Sequence, residues 1–152
     1  MRTGELFAFR HLELDELVDI ATAGKLLQGS ATLFCKEYNP RPGLVAGTYA
    51  GSTVGMAVGA HMIERLESEG YLGPEGRIVL LGGRIRRRFQ SLAKRMPKAI
   101  GPCFGTGAMQ AFVPWNGAAE VVSAVLEAAF DAGLILLGAG SNPGKIRMLP
   151  AE

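Results

Sequence analysis

Cysteine is scarce in this chain of 152 residues, and the two cysteines present, Cys35 and Cys103, stand far apart. Two isolated cysteines cannot build a disulfide framework, and neither has the close spacing that metal ligands need. The sequence therefore predicts neither a disulfide-stabilised fold nor a metal site. Unpaired thiols are typical of a reducing compartment, so we expect a cytoplasmic protein.

Long apolar runs and an excess of one charge are also missing. No segment approaches the roughly 20 apolar residues that cross a bilayer, and MRTGELFAFRH at the amino terminus lacks the layout of a signal peptide. Basic and acidic residues number 16 and 14, which leaves a formal net charge of +2. We therefore expect no membrane partner and no nucleic-acid partner. The basic run from Arg84 to Arg88 is expected to form the solvated side of a helix.

Apolar residues, in contrast, make up 48% of the chain. This is a high share for a small domain whose exterior should be mostly polar. Part of the apolar surface is therefore expected to belong to an interface.

The hydrophobic periodicity predicts an α/β fold without internal repeats. Residues 39–51 are too rich in glycine and proline for regular structure and are expected to form a functional loop. Buried strands are predicted over residues 18–23 and 30–35, helices over 53–70, 74–97 and 116–133, and further strands over 108–113, 134–137 and 145–149.

Lys25 occupies a position where folding alone gives no reason for a charged residue. It stands in DIATAGKLLQG, where an apolar run stops at a lysine with no obvious carboxylate partner nearby in sequence. An isolated lysine at a strand end is expected to extend into solvent. If both flanking strands are buried, however, a low-dielectric environment disfavours the charged amine and frees its lone pair to attack a carbonyl group.

Four segments, in this order and with similar gaps, resemble the later part of class III pyridoxal-phosphate-dependent aminotransferases: RTGELFAFRH, VDIATAGKLLQG, PGLVAGTYAGSTVGMAV and KIRMLPA. The resemblance covers essentially the whole chain and implies a portion of a fold-type I transferase with pyridoxal 5′-phosphate as cofactor. In this family a lysine holds the cofactor aldehyde as a Schiff base and shuttles a proton at the substrate carbon. The resemblance implies that Lys25 has this role.

The same resemblance assigns two further binding roles. Thr48 matches the family threonine that bonds the cofactor phosphate, usually that of the neighbouring subunit in a dimer. Glycines at 47 and 51 and a helix beginning near Ser52 also suit an anion, and turn and cap roles are the alternative for Thr48 and Ser52. Arg147 matches the arginine that binds the substrate carboxylate, and an exposed strand arginine is the alternative for it.

The resemblance also implies a domain plan and a reaction. Residues 1–52 would end the large cofactor-binding domain, and residues 53–152 would form a long helix and most of the small C-terminal α/β domain. The reaction would be transamination between an amino acid or ω-amino compound and a 2-oxo acid, in a homodimer or larger self-association. The family's aspartate for the pyridine nitrogen precedes the first residue here, so we expect the chain alone to be inactive.

A second class of function stays open at this point. The chain could be a noncatalytic α/β interaction module that keeps the shape of the aminotransferase small domain and uses it for assembly. Val18 and the segment LLQGSATLF also depart from the family pattern around the lysine, which leaves the substrate undetermined.

Overall fold

A computed structural model describes residues 1–48 and 50–150 and divides the chain into two compact units. The first unit runs from Phe9 to Tyr71, and the second combines Met1–Ala8 with the chain from Leu72 onward. Helices and antiparallel sheets are both present, so the α/β prediction is confirmed. None of the helices in the described part of the chain is both long enough and apolar enough to span a membrane.

The first unit consists of a β-hairpin and one long helix. Strand β1 (Ile20–Ala23) pairs antiparallel with β2 (Ala31–Phe34), and a 3-10 helix, Lys25–Leu27, connects them. Helix α2 (Thr53–Ser68) packs against this connection. The remaining short helices are α1 (Ala8–His11), in which the sequence passes from one unit to the other, and two 3-10 turns, Asp15–Leu17 and Lys36–Tyr38.

Helix α2 begins and ends where the sequence predicts. The side-chain oxygen of Ser52 accepts a hydrogen bond of 3.4 Å from the backbone N–H of Gly55, which caps the first turn. Gly70 follows the helix with a φ of 70°, which glycine adopts without steric cost. A Cβ on Gly59 would lie 3.1 Å from the carbonyl oxygen of Leu27, so the small residue lets the helix approach the hairpin connection closely.

The second unit is a four-stranded antiparallel sheet covered by two helices on one face. The strand order is β3-β4-β6-β5, and both helices contribute to the core that covers the sheet. The elements, in chain order, are α3 (Arg77–Arg95), β3 (Ile100–Thr106), β4 (Met109–Pro114), α4 (Ala119–Asp131), β5 (Leu137–Ala139) and β6 (Lys145–Met148).

The core of this unit lies between the sheet and its helices. Phe112 and Ile146 face each other on neighbouring strands, and both are buried. The ring of Phe89 packs on that of Phe112 with centroids 4.9 Å apart. Ile85, Phe89 and Leu92, spaced three to four residues apart along α3, all pack against this cluster.

Strand β3 was not expected, and β5 lies further along the chain than expected. Pro102 argues against a strand because it lacks a backbone N–H. It is accommodated here because β3 is an edge strand whose register shifts between Ile100 and Cys103. Strand β5 occupies Leu137–Ala139 rather than residues 134–137, since its pairing partner β6 determines which residues are hydrogen-bonded.

The helix starts and the hairpin burial also differ from expectation. Helices α3 and α4 begin three residues later than predicted, after the N-cap residues Gly76 and Ala118. More important for function, the hairpin strands are not buried. β1 alternates between exposed and half-buried residues, and every residue of β2 is exposed.

Candidate functional site

Lys25 lies at the closed end of the hairpin, directly after β1. Its backbone has a φ of 56°, in the left-handed region, and Gln28 three residues later has a φ of 54°. The backbone N–H of Gln28 donates to the carbonyl of Lys25 over 2.9 Å. Between them, Leu27 is buried against α2. The backbone at Lys25 is therefore held by a tight turn that is anchored two residues away.

The side chain of Lys25 is exposed. Among the residues described, its amine has no hydrogen-bond or ion-pair partner. The shelter expected from two buried strands is missing, because the strands themselves are open to solvent. The hairpin strands therefore provide no low-dielectric environment for this amine.

Thr48 and Ser52 lie in and after the glycine-rich loop. Thr48 is exposed in the turn closed by the hydrogen bond from the N–H of Ala50 to the carbonyl of Gly47, at 3.0 Å. Ser52 is the N-cap of α2. The first N–H groups of a helix have no partner within it and carry a partial positive charge. This end of α2 therefore presents hydroxyl and N–H donors together.

Arg147 lies in the second unit, in the middle of β6. Alternation along β6 buries Ile146 and Met148 and leaves Arg147 exposed on the face opposite the helices. The side chain of Arg147 therefore points away from the apolar face of the strand. Its guanidinium has no hydrogen bond or ion pair with any residue that the structure describes.

The candidate residues are thus divided between the two units. Lys25, Thr48 and Ser52 belong to the first unit, and Arg147 belongs to the second. Within the described ranges, no group of three histidine, cysteine, aspartate or glutamate side chains is arranged to hold a metal ion.

Two sets of residues around the second unit's sheet escaped sequence analysis. Phe104, Ala111 and Leu137 share one cross-strand row with Arg147, which only the strand register reveals. Arg86 donates to the side-chain oxygen of Gln110 over 3.2 Å and also to the carbonyl of Gly105. Arg84, Arg87 and Arg88 are exposed, as the sequence predicts, so Arg86 is the exception in its basic run.

Comparison with known proteins identifies the family to which this chain belongs. The family model described as aminotransferase class-III matches residues 1–151. The chain belongs to the class-III aminotransferase family, whose members depend on pyridoxal phosphate.

Individual relatives agree with that membership. The 5-aminovalerate aminotransferase of Pseudomonas aeruginosa is 30% identical over 97% of this chain and 36% of its own length. The diaminobutyrate–2-oxoglutarate aminotransferase of Rhizobium meliloti is 27% identical over 98% of this chain and 34% of its own. The chain therefore spans about a third of the length of the curated relatives it matches.

Solved structures show the same partial coverage. The acetylornithine aminotransferase of Elizabethkingia anophelis matches with a TM-score of 0.78 at 25% identity, over 98% of this chain and 39% of that one. A lysine aminotransferase from M. tuberculosis matches with a TM-score of 0.82 at 23% identity, over 98% of this chain and 34% of that one. The fold prediction, an α/β portion of a fold-type I transferase, is confirmed.

The groups present in the first unit fit the family's cofactor chemically. An aldehyde needs a primary amine, and Lys25 offers one that no described residue engages. A phosphate needs hydrogen-bond donors and positive charge, and the Thr48 turn and the start of α2 offer both.

Proposed function

We propose that this chain carries the cofactor lysine, a phosphate-binding loop and the substrate arginine of a pyridoxal-phosphate-dependent aminotransferase. The enzyme would move an amino group from an amino acid or ω-amino compound to a 2-oxo acid. One observation carries the proposal: in a chain of this family, the amine of Lys25 is exposed and unengaged by the described residues, at the tip of an anchored hairpin.

Lys25 is the proposed catalytic residue. Its amine would hold the cofactor aldehyde and, once displaced by the substrate amine, would take and return the proton at the substrate carbon. Bound pyridoxal phosphate supplies the electron sink for the bond broken at that carbon. The turn from Lys25 to Gln28 limits the backbone motion of the lysine, so the point from which its side chain extends is fixed before the cofactor arrives.

Thr48 and the start of α2 are the proposed phosphate-binding groups. Ser52 uses a lone pair to accept from Gly55, which leaves its own O–H available as a donor to a phosphate oxygen. The partial positive charge at the N-terminus of α2 would add to the attraction.

Arg147 is the proposed group for the substrate carboxylate. A guanidinium offers paired N–H donors that match the two oxygens of a carboxylate. Its exposure on an open sheet face leaves these donors accessible.

We further propose that two copies of the chain associate and that the domain boundary lies near residue 52, as the family pattern implies. Exposed apolar side chains on the hairpin, including Ile20, Leu33 and Phe34, support an association that covers them. The same cover would shelter the amine of Lys25. A cytoplasmic location stays a prediction from the sequence.

Covalent labelling with the cofactor tests the proposal. The chain is incubated with pyridoxal phosphate, reduced with borohydride and mapped by peptide mass spectrometry. We expect the label on Lys25 in preference to the other four of its five lysines. Lys25→Ala should abolish the main label, and Lys36→Ala should preserve it, since Lys36 is an exposed lysine at the start of a comparable 3-10 turn.

The phosphate site is tested by comparing labelling by pyridoxal phosphate with labelling by pyridoxal, which lacks the phosphate. Pyridoxal phosphate should label Lys25 at about tenfold lower concentration than pyridoxal, because charge-assisted hydrogen bonds contribute roughly 1.5–3 kcal/mol. Thr48→Ala should reduce this difference. Equal labelling of all lysines would refute the catalytic assignment, and equal labelling by both aldehydes would refute the phosphate site.

A noncatalytic assembly module is the second candidate, favoured by the exposure of both hairpin strands around Lys25. For such a module we expect self-association that persists in Lys25→Ala, together with no selective cofactor label. Sedimentation velocity on the two proteins, in parallel with the labelling, separates the two functions.

A further inference from the structure

The face of the four-stranded sheet that points away from α3 and α4 has an unusual composition. Strand alternation and register place nine residues on this open face: Phe104, Thr106, Met109, Ala111, Val113, Leu137, Ala139, Lys145 and Arg147. Seven are neutral, two are cations and none is acidic. A face with this charge attracts anions, and its apolar side chains favour an anion that has a hydrocarbon part.

The side chains in one cross-strand row of this face differ in size. Phe104 pairs with Ala111, Ala111 with Arg147, and Arg147 with Leu137. Adjacent strands lie about 4.8 Å apart, so Phe104 and Arg147 stand about 10 Å apart on either side of Ala111. Because alanine ends at its Cβ, the row forms a slot with an aromatic wall, a small floor and a cationic wall.

The slot is accessible in the structure. Phe104 and Leu137 are each 40% exposed, and Arg147 is also exposed. The second cation, Lys145, donates to the carbonyl of Pro143 over 3.0 Å at the end of the strand. Arg147 is the cation that stands in the row itself, and its guanidinium makes no hydrogen bond or ion pair with a described residue.

We propose that this slot selects carboxylates with an apolar chain: Arg147 binds the carboxylate, and the chain lies over Ala111 against Phe104. The proposal rests on the proposed function for the role of Arg147 and deepens it by naming specificity-determining residues. Aliphatic chains of several methylene groups fit the slot, whereas a carboxylate without such a chain gains only the contact with Arg147.

Backbone amide NMR titration of the chain with valerate and acetate tests the slot. Valerate has three more methylene groups than acetate, and burying each by about half should strengthen binding about tenfold overall. The largest shifts should occur at the amides around Ala111 and Arg147. Butylamine, which has a similar chain and no carboxylate, should produce no shifts there.

Variants locate the effect. Arg147→Gln should abolish binding of both acids. Ala111→Leu fills the floor and should remove the tenfold advantage of valerate while acetate still binds, and Phe104→Ala should reduce that advantage to about threefold. Ala139→Leu is the matched control, because it adds the same bulk to the same face outside the row and should leave both affinities unchanged.

Three results would overturn the slot. The first is the absence of a valerate response, and the second is equal affinity for valerate and acetate. The third is a valerate response centred on the apolar groove of about 740 Å³ beside Met96, Trp115 and Ala128, on the helix side of this unit. Cofactor labelling at Lys25 is an independent measurement. If Lys25 is not labelled but the valerate titration gives the expected result, the aminotransferase proposal is rejected and the slot is retained. Selective labelling without a valerate response would do the reverse.

Discussion

Gly82 of α3 lies directly against the backbone carbonyl of Gly107 in the turn between β3 and β4. A Cβ at position 82 would overlap that carbonyl, and backbone cannot move aside as a flexible side chain can. The helix and the hairpin therefore meet backbone to backbone, and this contact determines how closely α3 approaches the edge of the sheet.

Gly82→Ala should lower the free energy of unfolding by about 2 kcal/mol, the cost of forcing extra volume into a packed contact. Gly83→Ala should raise it by about 0.5–1 kcal/mol, because alanine favours helix and a Cβ there would meet only the flexible end of Arg87, at 3.5 Å. Urea denaturation followed by the fluorescence of Trp115, the single tryptophan of the chain, measures both. Equal effects of the two substitutions would contradict the backbone contact.

Arg86→Ala should destabilise the second unit by about 1–3 kcal/mol, because it leaves a buried polar group without one of its partners. Gln110 is only 2% exposed, and its amide nitrogen donates to the carbonyl of Gly107 over 2.8 Å while its oxygen accepts from Arg86. Arg87→Ala, at an exposed position of the same helix, should change stability by less than about 0.5 kcal/mol. The same denaturation experiment compares them, and similar values for both would remove the special role of Arg86.

The thiol of Cys103 should react with iodoacetamide only at higher pH than an ordinary thiol. Burial raises the pKa of Cys103 above its ordinary value of 9.0, and the nearby charge of Arg86 opposes that rise. Fewer thiolates are then present at a given pH, and the thiolate is the reactive form. Arg86→Ala should move the reactivity profile of Cys103 to still higher pH.

The raised pKa of Cys103 also makes the stability of the protein fall at high pH. Because the folded state keeps the Cys103 proton to higher pH than the unfolded state, its contribution is complete below the ordinary pKa of 9.0 and is lost as pH rises through the folded value. Cys103→Ser should therefore flatten the loss of stability above about pH 9. A wild-type stability that is constant in this range would contradict the pKa shift.

Lys25→Gly should stabilise the first unit by up to about 1 kcal/mol, because glycine adopts a φ of 56° without the strain of a side chain. Lys36→Gly is the control: Lys36 is not among the residues with positive φ, so glycine there should give no gain. Amide hydrogen exchange in α2 reports on this unit separately. A loss of stability in Lys25→Gly would show that the lysine side chain contributes to folding, which its exposure argues against.

Several elements were predictable because their signals are local. The cap at Ser52 and the glycine after α2 belong to the helix itself, and the apolar stripe of α3 follows from a 3.6-residue period. The alternation of residue types along β6 likewise places Arg147 and Ile146 on opposite faces of the strand. Family membership was also readable, because four ordered segments carry it.

Other features depend on partners that are distant in sequence. Pairing with β4 makes Ile100–Thr106 a strand despite Pro102, and pairing with β6 moves β5 to Leu137–Ala139. Burial of the hairpin could not be deduced from its apolar composition, because burial depends on what covers a surface.

The sequence by itself determined the family, the local helices and the identity of Lys25, Thr48 and Arg147 as candidates, since each of these depends on residues adjacent along the chain. Only the tertiary structure decided that Lys25 is exposed, that Arg86 bonds Gln110, and that Phe104, Ala111 and Arg147 share one row. The physical reason is that burial and strand register depend on contacts between segments that are distant in sequence, and the spacing of residues within one segment does not determine those contacts.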